Sequence, residues 1–326
     1  MSDVHAASAL IEEYDPFDLL DPFPFYVRAR QEAPIFYSSE LDYWVITRYE
    51  DIKAVFRDLE TYSSEITGKP LVPFSPAVQK VLDDGEFAVS SGISGMMPPD
   101  HTRVRSFLNK GFTPRRVEKL EGPIRQRTNE LIDLFAQDGR ADLVRQLTYD
   151  LPALVVFILL GVPAEDVAYV KQWAASRIAI TWGDLTEEER IWHAHQMVKY
   201  WRYCMDLIEQ RFKEPQDDLP SDLVRIYQEG DHSITKHEMG RVCYAMLFAG
   251  HETTSNLLAE GLKTLLTYRD RWEALCQDPS LIPGAVEELA RFCPSIFAWR
   301  RLVKKSTNLA GIDLPEGQIA AGARFS

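Results

Sequence analysis

Residues Ala249-Gly250-His251-Glu252-Thr253-Thr254 set a carboxylate beside two hydroxyls in the middle of a stretch with helical apolar spacing. A carboxylate next to a hydroxyl can pass a proton along, which is the work of general acid–base groups. A helix gains nothing from these residues. Glycine costs about 1 kcal/mol relative to alanine in a helix interior, and threonine is an indifferent helix former. A threonine hydroxyl can bond back to the carbonyl four residues earlier and open or bend the helix. Such a defect is expected to leave a groove at Ala249 and Gly250 where a flat ligand lies against backbone. The pair His251-Glu252 also begins the zinc-protease pattern His-Glu-x-x-His, but Ser255 stands where the second imidazole is needed, so that chemistry is ruled out. A purely structural carboxylate at Glu252 stays open at this point.

The elements that must position this run are helical. Apolar residues recur at three and four positions over Val117 to Phe135, Glu188 to Phe212 and Glu238 to Tyr268, the spacing of a helical face. Thr235 with Glu238 predicts a capping box, and Ile234 with Met239 a hydrophobic staple. The helix they start runs for about 30 residues, on the order of 45 Å. Strand signals are few: Ile35-Phe36-Tyr37 and Tyr43-Trp44-Val45-Ile46-Thr47 predict a hairpin, after which Asp51 is expected to cap a helix through Phe56. The Phe- and Pro-rich N-terminal stretch predicts an ordered loop or short helix. A helix over Pro279 to Phe292 ends at Pro294, and small strands are expected near Arg301 to Val303 and around the turn Leu314-Pro315-Glu316-Gly317. The fold class is mainly α with small β-sheets.

A chain of 326 residues admits two domains by length, although large helical enzymes also fold as one. The net charge of −13 argues against nucleic acid, which selects Lys and Arg gathered on one face. One basic island, Arg103, Arg105, Lys110, Arg115 and Arg116, either steers an acidic partner or is a solvated helix face. The longest apolar run, Leu151 to Val162, is too short to cross a bilayer, and Met-Ser-Asp-Val-His does not open like an export signal. No membrane contact and a cytoplasmic location are expected. Cys204, Cys243, Cys276 and Cys293 lack paired spacing, so reduced, mostly buried thiols are expected rather than a metal site or disulfides.

Two further motifs join the first. Glu288-Leu289-Ala290-Arg291 and His101-Thr102-Arg103-Val104-Arg105 stand in the order and spacing, with Ala249 to Thr254, that the cytochrome P450 family shows. Pro99-Asp100-His101, Phe112-Thr113-Pro114 and Pro283-Gly284-Ala285-Val286-Glu287-Glu288 are similar to the filler of its bacterial members, and the resemblance covers about residues 14 to 318. Glu40 to Asp58 and Trp299-Arg300-Arg301 resemble the self-sufficient branch that carries a C-terminal reductase.

The resemblance implies one P450 domain over residues 1–326, incomplete at its C-terminus, that binds haem b and inserts one oxygen atom of O2 into a small apolar substrate. It assigns His101, Arg105 and Arg301 to the haem propionates, for which the planar fork of arginine suits a carboxylate. Ala249 and Gly250 lie beside the haem, and Glu252 with Thr253 delivers protons for oxygen activation. Glu288 and Arg291 form a structural pair, expected to be buried, whose loss costs about 3–5 kcal/mol. Phe248, Phe297 and Ala298, with Ala249, line the substrate pocket.

The family's haem-ligand loop, Phe-x-x-Gly-x-x-x-Cys-x-Gly, does not occur in this sequence. Cys293 is the one cysteine beyond the Glu-x-x-Arg pair, and Arg291-Phe292-Cys293-Pro294 has none of the loop's glycines. The axial cysteine, whose thiolate favours O–O cleavage, is therefore expected to be absent from this chain, and no residue is assigned to the metal. Ile319 to Ser326 also departs from the family's apolar strand. An early stop, a frameshift or a partial gene would each account for this. Electrons are expected from a ferredoxin or flavodoxin-type donor with its NAD(P)H reductase, or from a fused reductase lost with the tail. The rival expectation is a truncated, non-enzymatic remnant that acts as a binding fold.

Overall fold

Two runs rich in β-branched and aromatic residues form the expected hairpin, β1 Ile35–Ser38 and β2 Tyr43–Ile46, paired antiparallel with Ile35 opposite Ile46. They belong to a computed structural model that describes residues 10–16, 21–70, 73–87, 92–183, 185–296 and 298–323, except the side chains of Trp182, Leu247, Phe248 and Ala323. The chain divides into two units, Met1–Thr67 with Pro283–Ser326, and Gly68–Ile282. Helix α1, Phe23–Glu32, precedes the hairpin and α2, Tyr49–Arg57, follows it, leading to the short β3, Tyr62–Ser63. Helix α2 starts two residues before Asp51 and has no side-chain cap. Asp51 and Glu50 lie instead in its first turn, where the positive end of the helix dipole favours carboxylates.

The second unit is helical. Its described α-helices are α3 Pro76–Asp84, α4 Asp100–Gly111, α5 Pro114–Glu118, α6 Glu121–Asp133, α7 Leu151–Leu160, α8 Val167–Trp182, α9 Glu187–Lys213, α10 Leu219–Gln228, α11 Lys236–Thr267 and α12 Arg269–Gln277. The helix expected from Val117 to Phe135 is two helices, because the chain breaks between Glu118 and Glu121. The long helix α11 spans 32 residues and begins with the expected capping box: Thr235 Oγ1 accepts from Glu238 N at 3.1 Å, and Glu238 accepts from Thr235 N at 2.8 Å. Ile234 and Met239, the staple pair, are both fully buried in the unit's core. Helix α9 packs along α11, and the buried Tyr200 hydroxyl donates to Tyr244 O at 3.0 Å.

The chain then returns to the first unit through α13, Ile282–Phe292, and the strands β4 Ala298–Val303, β5 Thr307–Leu309, β6 Ile312–Leu314 and β7 Ile319–Ala323. Strand β7 overturns one expectation: the stretch that departs from an apolar strand is the centre of the five-stranded sheet, in the order β1-β2-β7-β4-β3. It pairs parallel to β2, with Trp44 opposite Ala320, and antiparallel to β4, with Arg301 opposite Ala320. Its glycine has a steric reason. A Cβ on Gly322 would lie 3.0 Å from Ile52 Cγ2, so α2 packs directly on the strand's backbone.

One buried ion pair secures the end of α9. Arg211 Nε donates to Asp218 Oδ2 at 2.6 Å and its Nη2 to Gly161 O at 2.9 Å, with side-chain exposures of 9% and 2% for the pair. Removing one partner strands a charge in the core. Asp218→Ala is expected to cost about 3–5 kcal/mol in urea unfolding; a loss below about 1 kcal/mol would mean that water already solvates this pair.

Candidate functional site

Helix α11 is continuous α-helix through Ala249 to Thr254. Thr253 Oγ1 does donate to Ala249 O at 2.8 Å, yet the expected opening of the helix is not there. A carbonyl has two lone pairs, so it accepts the hydroxyl without giving up its helical bond. Gly250 also has a packing reason: a Cβ there would stand 2.6 Å from Val156 Cγ2 on α7. Glycine lets α7 and α11 approach closely. His251 is buried, with Nε2 2.8 Å from Tyr149 O and its ring edge-on to the Tyr149 ring at 5.0 Å. These two contacts set the rotation of the helix. Ala249 and Thr254 are left exposed, and Glu252 and Thr253 half-buried. Burial first, and the Glu252 carboxylate second, push the Tyr149 phenol above its ordinary range. Lys171 lies 4.0 Å over the Tyr149 ring and pairs with Asp150.

Helix α4 carries His101, half-buried, and Arg105, exposed, four residues apart and so on one face. Neither side chain has a hydrogen bond or ion pair with the described residues. Arg103 between them is fully engaged: it donates to Glu238 at 2.6 and 3.1 Å, to Asp100 at 2.9 Å and to Ser233 O at 2.7 Å. The basic island is thus mostly internal structure. Lys110 pairs with Asp231 at 2.5 Å, and Arg116, 10% exposed, pairs with Asp222 at 2.6 Å and Asp217 at 2.9 Å. Of its five cations, Arg105 and Arg115 have no ion pair among the described residues.

In the first unit, Arg301 is a half-buried guanidinium with no carboxylate partner among the described residues. Its Nη1 donates to Arg300 O at 2.9 Å, its plane covers the Phe56 ring at 4.4 Å, and its Nε is buried without an acceptor. Desolvation draws its pKa down. Glu288 and Arg291 pair as expected, at 2.7 and 2.8 Å, but they are 60% and 58% exposed rather than buried. The cost expected for a buried pair does not apply to them. Ala298 is exposed at the start of β4. Phe297 and the side chain of Phe248 lie outside the described residues. Cys293 is buried where α13 ends, its N–H donating to Leu289 O at 2.7 Å.

Two polar residues escaped the sequence motifs. Arg177 on α8 and Tyr244 on α11 are both buried, and each has a donor atom with no acceptor. No sequence signal marked either one: the helix of Arg177 carries apolar residues on most faces, so a charge among them does not stand out before the packing is known.

No family model matches the chain. It is 31% identical to the putative cytochrome P450 YjiB of Bacillus subtilis over 315 residues, covering 95% of this chain and 75% of that protein. The chain belongs to the cytochrome P450 family. Among solved structures, the cytochrome P450 CREJ in complex with (4-ethylphenyl) dihydrogen phosphate superposes with a TM-score of 0.90 at 40% identity, over 96% of this chain and 78% of that one. An intact type IV self-sufficient cytochrome P450 monooxygenase gives a TM-score of 0.88 at 35% identity, over 95% of this chain and 40% of that one. Further curated relatives bear the names of hydroxylases, a hydroxylase/epoxidase and an N-oxygenase. This P450 chain therefore has the fold and ancestry of a haem-thiolate monooxygenase. No described helix is long and apolar enough to cross a membrane.

The Arg103–Glu238 contact ties α4 to the start of α11. Arg103's hydrogen bonds are the largest cause that holds the Glu238 carboxyl at about 2, below its ordinary 4.5. A depressed folded value means that the stabilisation is complete above the ordinary value and is lost as pH falls towards the folded one. The urea midpoint is expected to drop between pH 4.5 and pH 2, with a smaller drop in Glu238→Gln; equal drops would show that other carboxylates set the acid limit.

Proposed function

We propose that this chain is the haem b domain of a monooxygenase, one domain over residues 1–326, acting on a small, largely apolar organic molecule. The observation that carries this reading is Arg301, half-buried with a buried Nε lacking any acceptor, an environment that suits a carboxylate such as a haem propionate. His101 and Arg105 offer the same chemistry on the helical unit. When bound, haem supplies the activation of dioxygen for insertion into a C–H bond or aromatic ring.

The chain's own residues then have separate tasks. Ala249 keeps the helix surface low beside the cofactor, while Gly250 next to it lets α7 approach through Val156. Thr253, whose hydroxyl proton already goes to Ala249 O, keeps its lone pairs free to accept from a water and hold it in place. Glu252, half-buried one residue earlier, feeds protons to that water as a general acid. Phe248, Phe297 and Ala298 are assigned to substrate contact by the resemblance alone, and the aryl ligand bound by the solved CREJ relative supports a small substrate with an aromatic body. Glu288 and Arg291 keep a structural role. The metal's cysteine ligand is not assigned to this chain. A ferredoxin or flavodoxin-type protein with an NAD(P)H reductase, or a fused reductase as in the self-sufficient relative, supplies electrons, in the cytoplasm.

Haem content and a carbon monoxide difference spectrum test this reading. The purified chain is expected to take up haem, Arg301→Met to take up less, and the thiolate signature to require a longer reading frame. A chain that takes no haem under any condition sinks the reading and leaves a binding remnant. A thiolate signature that Cys293→Ser abolishes would instead assign the ligand to Cys293. In haem-loaded, thiolate-ligated protein, Thr253→Ala is expected to raise the hydrogen peroxide released per NAD(P)H oxidised; unchanged coupling would remove Thr253 from the proton path.

A further inference from the structure

In the helical unit, the end of α4 and the short α5 face α10 and the loop before it across a cleft of about 310 Å³. Five cations and two carboxylates line it, and no aromatic or large apolar side chain does. In a chain of net charge −13 such a gathering of cations is the exception, and like charges brought together repel.

Part of this charge is internal structure. Arg116, 10% exposed, grips Asp222 at 2.6 and 3.0 Å and Asp217 at 2.9 Å, which ties α5 to the start of α10. Lys119 brings a second cation to Asp217 at 3.0 Å. Both carboxylates of the lining are thereby neutralised, and Lys110 is paired from outside it by Asp231. Two guanidiniums are left over. Arg115, exposed on α5, has no ion pair among the described residues. Arg225, on α10 with its side chain 58% exposed, reaches Asp222 at 3.4 Å and Glu229 at 3.3 Å. Ion pairs that long and that exposed contribute little, so the Arg225 fork turns to a better acceptor at small cost.

A guanidinium fork matches the oxygens of a carboxylate or of a phosphate group. Forks carried on two different helices favour the phosphate, whose tetrahedral oxygens take donors from two directions, whereas the two oxygens of a carboxylate lie in one plane. The polar lining offers no surface to an apolar body, so a ligand presents its charged part here. The geometry points to this cleft as a binding site for a phosphate group, free or carried by a nucleotide, with Arg115 and Arg225 as its clamps and Arg116 as the anchor that holds the walls together. The site is independent of the monooxygenase reading, because none of its residues is assigned to haem, substrate or oxygen.

Calorimetric titration of the 326-residue chain with inorganic phosphate, pyrophosphate, ADP and hexaglutamate, at physiological salt of about 0.15 M, tests it without turnover. Saturable binding of one phosphate compound per chain is expected, about tenfold or more tighter than hexaglutamate. ADP binding tighter than pyrophosphate assigns a nucleotide as the source; equal or weaker binding assigns the free ion. Arg115→Ala and Arg225→Ala are each expected to weaken the binding about tenfold or more, as loss of a charge-assisted hydrogen bond implies. Both should leave the thermal midpoint unchanged, since these are surface side chains. Arg145→Ala, which removes an exposed cation outside the cleft, is expected to keep the affinity within about twofold. The proposal is overturned by the lack of saturable binding, by an affinity that neither Arg115→Ala nor Arg225→Ala lowers, or by an equal loss in Arg145→Ala, which reduces the effect to general attraction between charges. Hexaglutamate binding tighter than every phosphate compound overturns it too, in favour of a docking surface for an acidic protein. A chain that takes no haem but keeps the phosphate site loses the monooxygenase reading alone.

Discussion

A 32-residue helix can present a carboxylate and two hydroxyls at its centre only if its rotation is fixed by contacts that those residues do not make themselves. In α11 these contacts flank the motif. Upstream, Met239, Val242, Cys243 and Tyr244 are buried in the core of the helical unit. Within the motif, Gly250 meets Val156 and His251 meets Tyr149. With those two positions turned into the unit, Ala249 and Thr254 face outward and Glu252 and Thr253 lie at the boundary. The boundary is a position from which a carboxylate can take up protons from solvent and pass them inward.

The close approach at Gly250 also explains why an unfavourable helix former is tolerated. Intrinsic propensity is a weak prior that packing overrides, and a side chain at this point would push α7 away. The back-bond from Thr253 works in the same sense. It uses the second lone pair of Ala249 O, so the helix keeps its ladder while the hydroxyl acquires a defined direction.

Local signals were legible where the physics is local. The hairpin, the capping box at Thr235 and Glu238, the staple and the polar run inside α11 all follow from neighbours in sequence, and each stands where its residues imply. Strand β7 was illegible because Ala320, Ala321 and Gly322 have poor strand propensity; the glycine answers to Ile52, more than 260 residues away in the chain. The exposure of Glu288 and Arg291 could not be read from their spacing, which requires a shared helical face but says nothing about what covers it. Arg177 was hidden by the opposite effect. Its helix, with apolar residues on most faces, shows little amphipathic contrast, so a charged residue on the buried stripe does not stand out until the packing is known.

Charge is where structure separates what sequence runs together. The basic island is uniform as a string of letters, yet Arg103, Lys110 and Arg116 neutralise carboxylates brought in from α10, α11 and the loop before α11, leaving Arg105 and Arg115 outside those pairs. In a chain of net charge −13, acidic partners for a cation are abundant, so a cation buried or aligned without one needs a separate account. Arg177 and Arg301 are of that kind: each is desolvated, each has an orphaned N–H, and neither meets a carboxylate among the described residues. Because a desolvated charge is costly unless it is completed by hydrogen bonds and an opposite charge, the simplest completion is an anion that the polypeptide does not itself provide.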